Sequence, residues 1–151
     1  MPNFSKESIA RLMECHPDLQ TLFNEVIKVL PQGNIQDITI RCGYRGEVAQ
    51  NKAYNSGHSK LKYPKSNHNK KPSLAVDVYP IPSKKIRYFT ELADIVQTKA
   101  IELYNAGIIT HTIRWGGVWK NIFNGNVFSN LIRIFRGFSD KPHYEISEIK
   151  K

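Results

Sequence analysis

A chain of 151 residues, 40% hydrophobic, 11% aromatic and 23% charged, is long enough to bury a core as one domain without covalent staples. It has no apolar run of eighteen residues, which excludes a transmembrane helix, and its two cysteines, Cys15 and Cys42, with no CxxC, argue against a disulfide framework or a thiolate zinc site and are expected as partly buried free thiols. The net charge of +9 is concentrated: from Val48 to Val76 there is no acid, while Lys52, Lys60, Lys62, Lys65, Lys70 and Lys71 fall in that window, a surface suited to a polyanion or simply a solvated loop.

The opening MPNFSKESIARLMECHPDLQ has early acids and no long apolar stretch, so it does not read as a secretory signal, and synthesis in a cytoplasm is expected. Ser5 can cap a short helix holding Ile9, Leu12 and Met13. After CHPD, the spacing of Leu19, Leu22, Phe23, Val26, Ile27 and Leu30 predicts a helix whose apolar face is core, stopped by PQG. DITIRC (37–42) alternates as a strand, with Ile38, Ile40 and Cys42 on one side. AQNKAYN predicts a short helix ended by Gly57, and LAVDVY (74–79) a second strand.

Residues 85–107 form the longest predicted helix, striped by Phe89, Leu92, Ala93, Val96, Ala100, Leu103 and Tyr104 and stopped by Gly107. HTIRW (111–115) is a third strand. HYEIS (143–147) is a fourth, with His143, Glu145 and Ser147 on one face and Tyr144 and Ile146 on the other. The segment from Asn121 to Ser139 is apolar, basic and free of acids, and fits a hairpin, a lid or a short helix alike. Helices followed by strands with one helix between them predict an α+β domain with a small, mostly antiparallel sheet. One domain spanning 1–151 is expected, helical over about 1–32 and sheet-containing over about 36–151, with no separate wall-binding unit.

Asp77 is the anomaly, an acid in a strand of valines, where a carboxylate has to be paired, hydrogen-bonded or metal-bound. By period two it shares a face with Ala75 and Tyr79, so it can look into a cleft. A salt bridge to Arg41 or Arg114 would explain it as well. A hydrolytic zinc site needs three protein ligands and an open fourth position, and imidazole and carboxylate both suit zinc at roughly 2.0–2.2 Å. His68 on the preceding loop and His143 at the start of the last strand could complete such a set. No HExxH helix is present. Asp140 lies three residues before His143 across Pro142, close enough to serve as a general base. Arg45 in GYRG could polarise a carbonyl or hold a carboxylate, or could be a surface arginine in a turn. His16, His58 and His111 have no acid at an obvious spacing and read as surface or core residues.

GYR with AQNKAY and Gly57, then SNHNKKPSLAVDVYP, RWGG-x-W and DKPHYEI resemble, in order, the motifs of the zinc D-alanyl-D-alanine carboxypeptidase and endolysin superfamily. The likeness runs from Gly43 to Ile146 and is greatest to the phage L-alanyl-D-glutamate peptidases, to which CHPDLQTLF is also similar. It implies a small antiparallel sheet flanked by helices, shared in outline with the hedgehog domain. It implies one Zn²⁺ on His68, Asp77 and His143, Asp140 as catalytic acid and base, Arg45 as the polarising arginine, and Ser66, Gln50 and Trp115 along the substrate cleft. The implied substrate is the peptidoglycan stem peptide, cut at the L-alanyl-D-glutamate bond, with the basic face against anionic wall polymers. A monomer acting on the wall after the membrane is permeabilised is expected, with no specific nucleic-acid partner.

Two departures stand out. Eight residues separate His68 from Asp77 where many members have six, and Val118 replaces the acid of a frequent Trp-Gly-Gly-Asp-Trp. The open alternatives are a D-alanyl-D-alanine carboxypeptidase with the same site, a non-catalytic wall-binding module, and a basic nucleic-acid binder, the last leaving Asp77 and Asp140 unexplained.

Overall fold

The hydroxyl of Ser5 accepts a hydrogen bond from the Ser8 amide at 3.1 Å and starts α1, Lys6–Met13. In this computed structural model, which describes residues 2–121 and 139–147, α1 turns Ser8 and Leu12 inward. Ile9 and Met13, expected on its apolar face, are 46% and 68% exposed. Polar contact decides the rotation: Ser8 Oγ accepts from the Ile40 amide at 3.0 Å and Arg11 Nη1 donates to the Ile40 carbonyl at 3.0 Å. The helix thereby satisfies backbone groups on the outer edge of the first strand.

Pro17 opens α2, Pro17–Lys28, with His16 Nδ1 accepting from the Asp18 amide at 3.1 Å. Its stripe of Leu19, Leu22, Phe23, Val26 and Ile27 is buried, as the spacing predicts. A short helix α3, Glu47–Asn55, follows the first strand, and α4, Ile86–Asn105, packs against α2. Gly107 takes φ +73° just beyond α4, a left-handed turn that a glycine adopts without the Cβ penalty.

Five strands form one antiparallel sheet in the order β1-β2-β5-β3-β4: β1 Asp37–Cys42, β2 Ala75–Ile81, β3 Thr112–Trp115, β4 Lys120–Asn121 and β5 His143–Ser147. Four were predicted; the two-residue β4 is too short to leave a periodic signal. Within the segment whose shape the sequence left open, 122–138 lies outside the described residues.

Register divides the sheet into two faces with different chemistry. Ile40 opposes Val78, Val76 opposes Tyr144, and Tyr144 opposes Trp115, giving an apolar face that joins α2 and α4 in the core. Each fully buried large side chain there contributes about 1.5–3 kcal/mol, which holds the helices to this face. On the other face Cys42 opposes Asp77 and Asp77 opposes His143, while in the next row Ala75 opposes Glu145 and Glu145 opposes Arg114. Polar and ionisable side chains are gathered on the side away from the helical core. Among the described residues no helix is long and apolar enough to cross a membrane.

Candidate metal centre and cleft

Asp77 and His143 are brought together by being cross-strand partners, whose side chains project from the same face at close range. His68 arrives from a single 3-10 turn, Asn67–Asn69, closed at both ends by side chains: Ser66 Oγ accepts from the His68 amide and Asn69 Oδ1 from the Ser66 amide. His68 Nδ1 lies 2.8 Å from the Gly43 carbonyl, so Nδ1 carries the proton and donates it there, leaving the lone pair of Nε2 to face inward. A Cβ on Gly43 would fall 2.2 Å from the Arg11 carbonyl oxygen, so only glycine lets the chain approach closely enough to present that acceptor.

The three inward donors are nearly equidistant. His68 Nε2 is 3.2 Å from Asp77 Oδ1 and 3.2 Å from His143 Nδ1, and His143 Nδ1 is 3.4 Å from Asp77 Oδ1. Ligands in a tetrahedron at zinc's bonding distances stand about 3.3 Å apart. Two imidazole nitrogens and one carboxylate oxygen at this spacing therefore fit the face of a tetrahedral zinc site, in donor type as well as distance. Charge agrees with geometry. Burial would raise the Asp77 carboxyl, yet His68 and His143 beside it hold it well below the usual carboxylate range. Burial would lower the His68 imidazole, but the Asp77 carboxylate beside it pulls the other way and raises it, and His143 is likewise raised by Asp77 and Glu145 against burial, the same attraction a cation at the centre would feel. The triangle favours positive charge at its centre.

Asp140 stands at the rim of this triangle, with Oδ2 3.7 Å from His143 Nδ1. Burial raises its carboxyl, and the charge of Asp77 raises it further, so Asp140 holds a proton more readily than a free aspartate. Its backbone is fixed by the amide of Asp140 donating to Gly116 and the amide of Gly116 donating to His143, at 2.9 and 2.7 Å. A Cβ on Gly116 would lie 2.3 Å from the Asp140 carbonyl oxygen and 2.9 Å from His143 Cβ, so this close approach requires glycine.

Arg45 and Ser66 line a cleft of about 520 Å³ with His68, Asp140 and His143. Arg45 Nη2 is 3.4 Å from Asp77 Oδ2 and Nη1 donates to Gln50 Oε1 at 3.1 Å, so the pairing of Asp77 is with Arg45, not Arg41 or Arg114. Gln50 and Trp115 do not line the cleft. Gln50 is fully buried, accepting from Arg45 and Asn69 and donating to Leu61, so it braces Arg45 from beneath. Trp115 is also fully buried, because strand alternation turns it to the core face; its Nε1 donates to the Lys141 carbonyl at 2.7 Å and anchors the turn carrying Asp140.

Several participants carried no clear sequence signal. Glu145 is buried behind His143, with Oε2 3.7 Å from His143 Nε2 and in contact with Asn67 Nδ2, so it joins the segments that carry the two histidines. Its place on the His143 face follows from period two. Cys42 Sγ lies 3.7 Å from His68 Nδ1. Cys15 is buried and Cys42 half-buried, both as free thiols, and burial pushes the Cys15 thiol up to about 12. Trp119 packs its ring 5.2 Å from that of His143 and has φ +51°, a left-handed conformation that costs a bulky residue on the order of 1–2 kcal/mol.

His16 and His111, which the sequence leaves without an acid, meet at Asp18. Asp18 Oδ2 pairs with His111 Nδ1 at 2.8 Å and accepts from the Thr110 and His111 amides. The His16 lone pair at Nδ1 is already used in capping α2. This cluster ties the entry of β3 to the start of α2. His58 borders the cleft and hydrogen-bonds Ser56 through Nδ1 at 2.7 Å.

The family model of the phage L-alanyl-D-glutamate peptidases matches residues 2–147. The chain belongs to this family. The peptidase also shares its fold with the L-Ala D-Glu endopeptidase ChiX of Serratia marcescens, with a TM-score of 0.66 at 21% identity over 96% of this chain and 90% of that one. No curated protein matches it. The chain is thus a peptidoglycan hydrolase with an α+β fold, and two corners of its donor triangle, His68 and His143, line the cleft named above together with Asp140.

Proposed function

We propose that the peptidase cuts the L-alanyl-D-glutamate bond of the stem peptide with one Zn²⁺ held by His68, Asp77 and His143. The observation that carries this reading is the 3.2–3.4 Å triangle of donor atoms with Asp140 3.7 Å from one of its corners. Zinc bound there would supply Lewis acidity, polarising a carbonyl and making water easier to deprotonate.

The chain's own residues do the rest. Asp140 takes a proton from the attacking water as oxygen bonds to the L-alanyl carbonyl carbon. The C–N bond then breaks and Asp140 returns the proton to the D-glutamyl nitrogen, so products are an L-alanyl carboxylate and a D-glutamyl amine. The raised Asp140 carboxyl suits this exchange, being a better proton acceptor than an ordinary aspartate. Arg45, paired with Asp77 at 3.4 Å, places positive charge at the cleft wall beside the developing oxyanion. His68 is held in one tautomer by Gly43 and His143 is backed by Glu145. The exposed lysines from Lys52 to Lys71 would hold the anionic wall against the cleft.

Purified protein incubated with peptidoglycan is expected to release fragments bearing a new amino-terminal D-glutamyl residue, read by mass spectrometry. Release of free D-alanine alone would support a carboxypeptidase instead.

A further inference from the structure

Arg114 lies on the cleft wall in the row of side chains adjoining the metal triangle, and the hydrolytic scheme gives it no part. Three contacts hold it. Its Cβ row is set by pairing with Glu145, its Nε lies 3.7 Å from Glu145 Oε1, and its guanidinium stacks 5.0 Å from the centre of the Trp119 ring. Trp119 in turn rests on His143 and keeps its left-handed backbone, a strain of the kind that marks a functional position.

The hydrogen-bonding capacity of Arg114 is unspent. Its Nε is buried without a hydrogen-bond partner, and among the described residues its terminal nitrogens make none either. Arg45 offers less, since one arm is committed to Gln50 and the other to Asp77. Lys60 and Lys65 on the rim are point charges on flexible stems. Arg114 is therefore the preorganised planar fork in this cleft, a geometry that matches a carboxylate in two parallel hydrogen bonds.

Substrate chemistry supplies such a carboxylate. A D-glutamyl residue carries two carboxyl groups, and whichever continues the peptide, the other is spare. Arg114 pairs with Glu145, two residues from His143, so its backbone stands one side-chain row, roughly 7 Å along β5, from the row of His143 and Asp77, and the fork and the triangle share one cleft. Resting on the proposed peptidase reading, we propose that Arg114, stacked on Trp119, is the specificity-determining residue that binds the spare carboxylate of the D-glutamyl residue.

The test uses two synthetic L-alanyl-D-glutamyl peptides that differ only in whether the spare carboxyl is free or a carboxamide. With zinc-loaded wild-type protein, kcat/KM is expected to favour the free carboxylate by roughly 10- to 100-fold. Arg114→Gln should collapse that ratio towards one while carrying the same zinc content, and Arg114→Lys should restore part of it, keeping charge without the fork. Equal cleavage of both peptides by the wild type, or an unchanged ratio in Arg114→Gln, would overturn the assignment while leaving the peptidase reading in place. Wild-type protein that carries zinc yet cuts neither peptide would overturn both.

Discussion

Asp77 on β2 and His143 on β5 face each other across one antiparallel pair, and their reactive atoms come within 3.4 Å on the side of the sheet away from the helical core. A one-residue slip in either strand would send one of them to the apolar face. Strand register is thus what assembles two of the three donors, and the capped turn at His68 adds the third.

The roles of donor and base separate in variants. His143→Ala is expected to lose zinc and activity together, whereas Asp140→Asn should keep a full equivalent of zinc and lose about 10²–10⁴-fold in kcat. Metal analysis beside turnover on peptidoglycan reads both. Full activity in Asp140→Asn would refute its role as the base.

Glu145 braces His143 from behind, within 3.7 Å of Nε2, and joins it to Asn67 beside His68. Glu145→Gln is expected to weaken zinc binding by about 10- to 100-fold, measured by competition with a chromophoric chelator, with the fold retained in circular dichroism. Unchanged affinity would show that the carboxylate does nothing for the histidine.

Gly116 has no room for a side chain between Asp140 and His143. Gly116→Ala should push the Asp140 carbonyl away and lower activity by at least tenfold, the size of effect expected from misplacing a catalytic group by about 1 Å. A variant as active as the wild type would show that the turn is free to adjust.

Asp18 ties α2 to β3 through bonds from Thr110 and His111. Burial alone would raise its carboxyl, but the hydrogen bonds from His111 and Thr110 outweigh it and leave the group below its ordinary value. Its stabilising contribution is complete above the unfolded carboxylate value of about 3.9 and fades as pH falls through the lower folded value. Asp18→Ala should therefore cost about 1–3 kcal/mol at neutral pH, and the difference from wild type in urea denaturation should shrink in strong acid. A difference independent of pH would remove the charge from the explanation.

Much of this architecture was legible because it rests on local periodicity. The stripes of α2 and α4 and the alternation of HYEIS translate directly into buried faces, and that of DITIRC does so as far as Ile40; Cys42, expected on the side of Ile38 and Ile40, is turned by a register shift to the face of Asp77. His68, Asp77, Asp140 and His143 could be singled out because acids and imidazoles beside a valine strand need partners, and the motif order joined them. What escaped depends on contacts between distant segments. Asp18 and His111 are 93 positions apart. Ile9 and Met13 were displaced from the core by a serine that caps a strand edge. Trp115 and Gln50 look like cleft residues in a motif, yet register turns one into the core and helix α3 buries the other. Arg114 acquires meaning only once Trp119 and Glu145 are seen beside it.

Anomalous diffraction at the zinc absorption edge, on crystals grown with one equivalent of zinc, reads the central claim directly. A single peak within about 2.0–2.2 Å of His68 Nε2, Asp77 Oδ1 and His143 Nδ1 is predicted. A peak elsewhere, or none in the triangle, would contradict it.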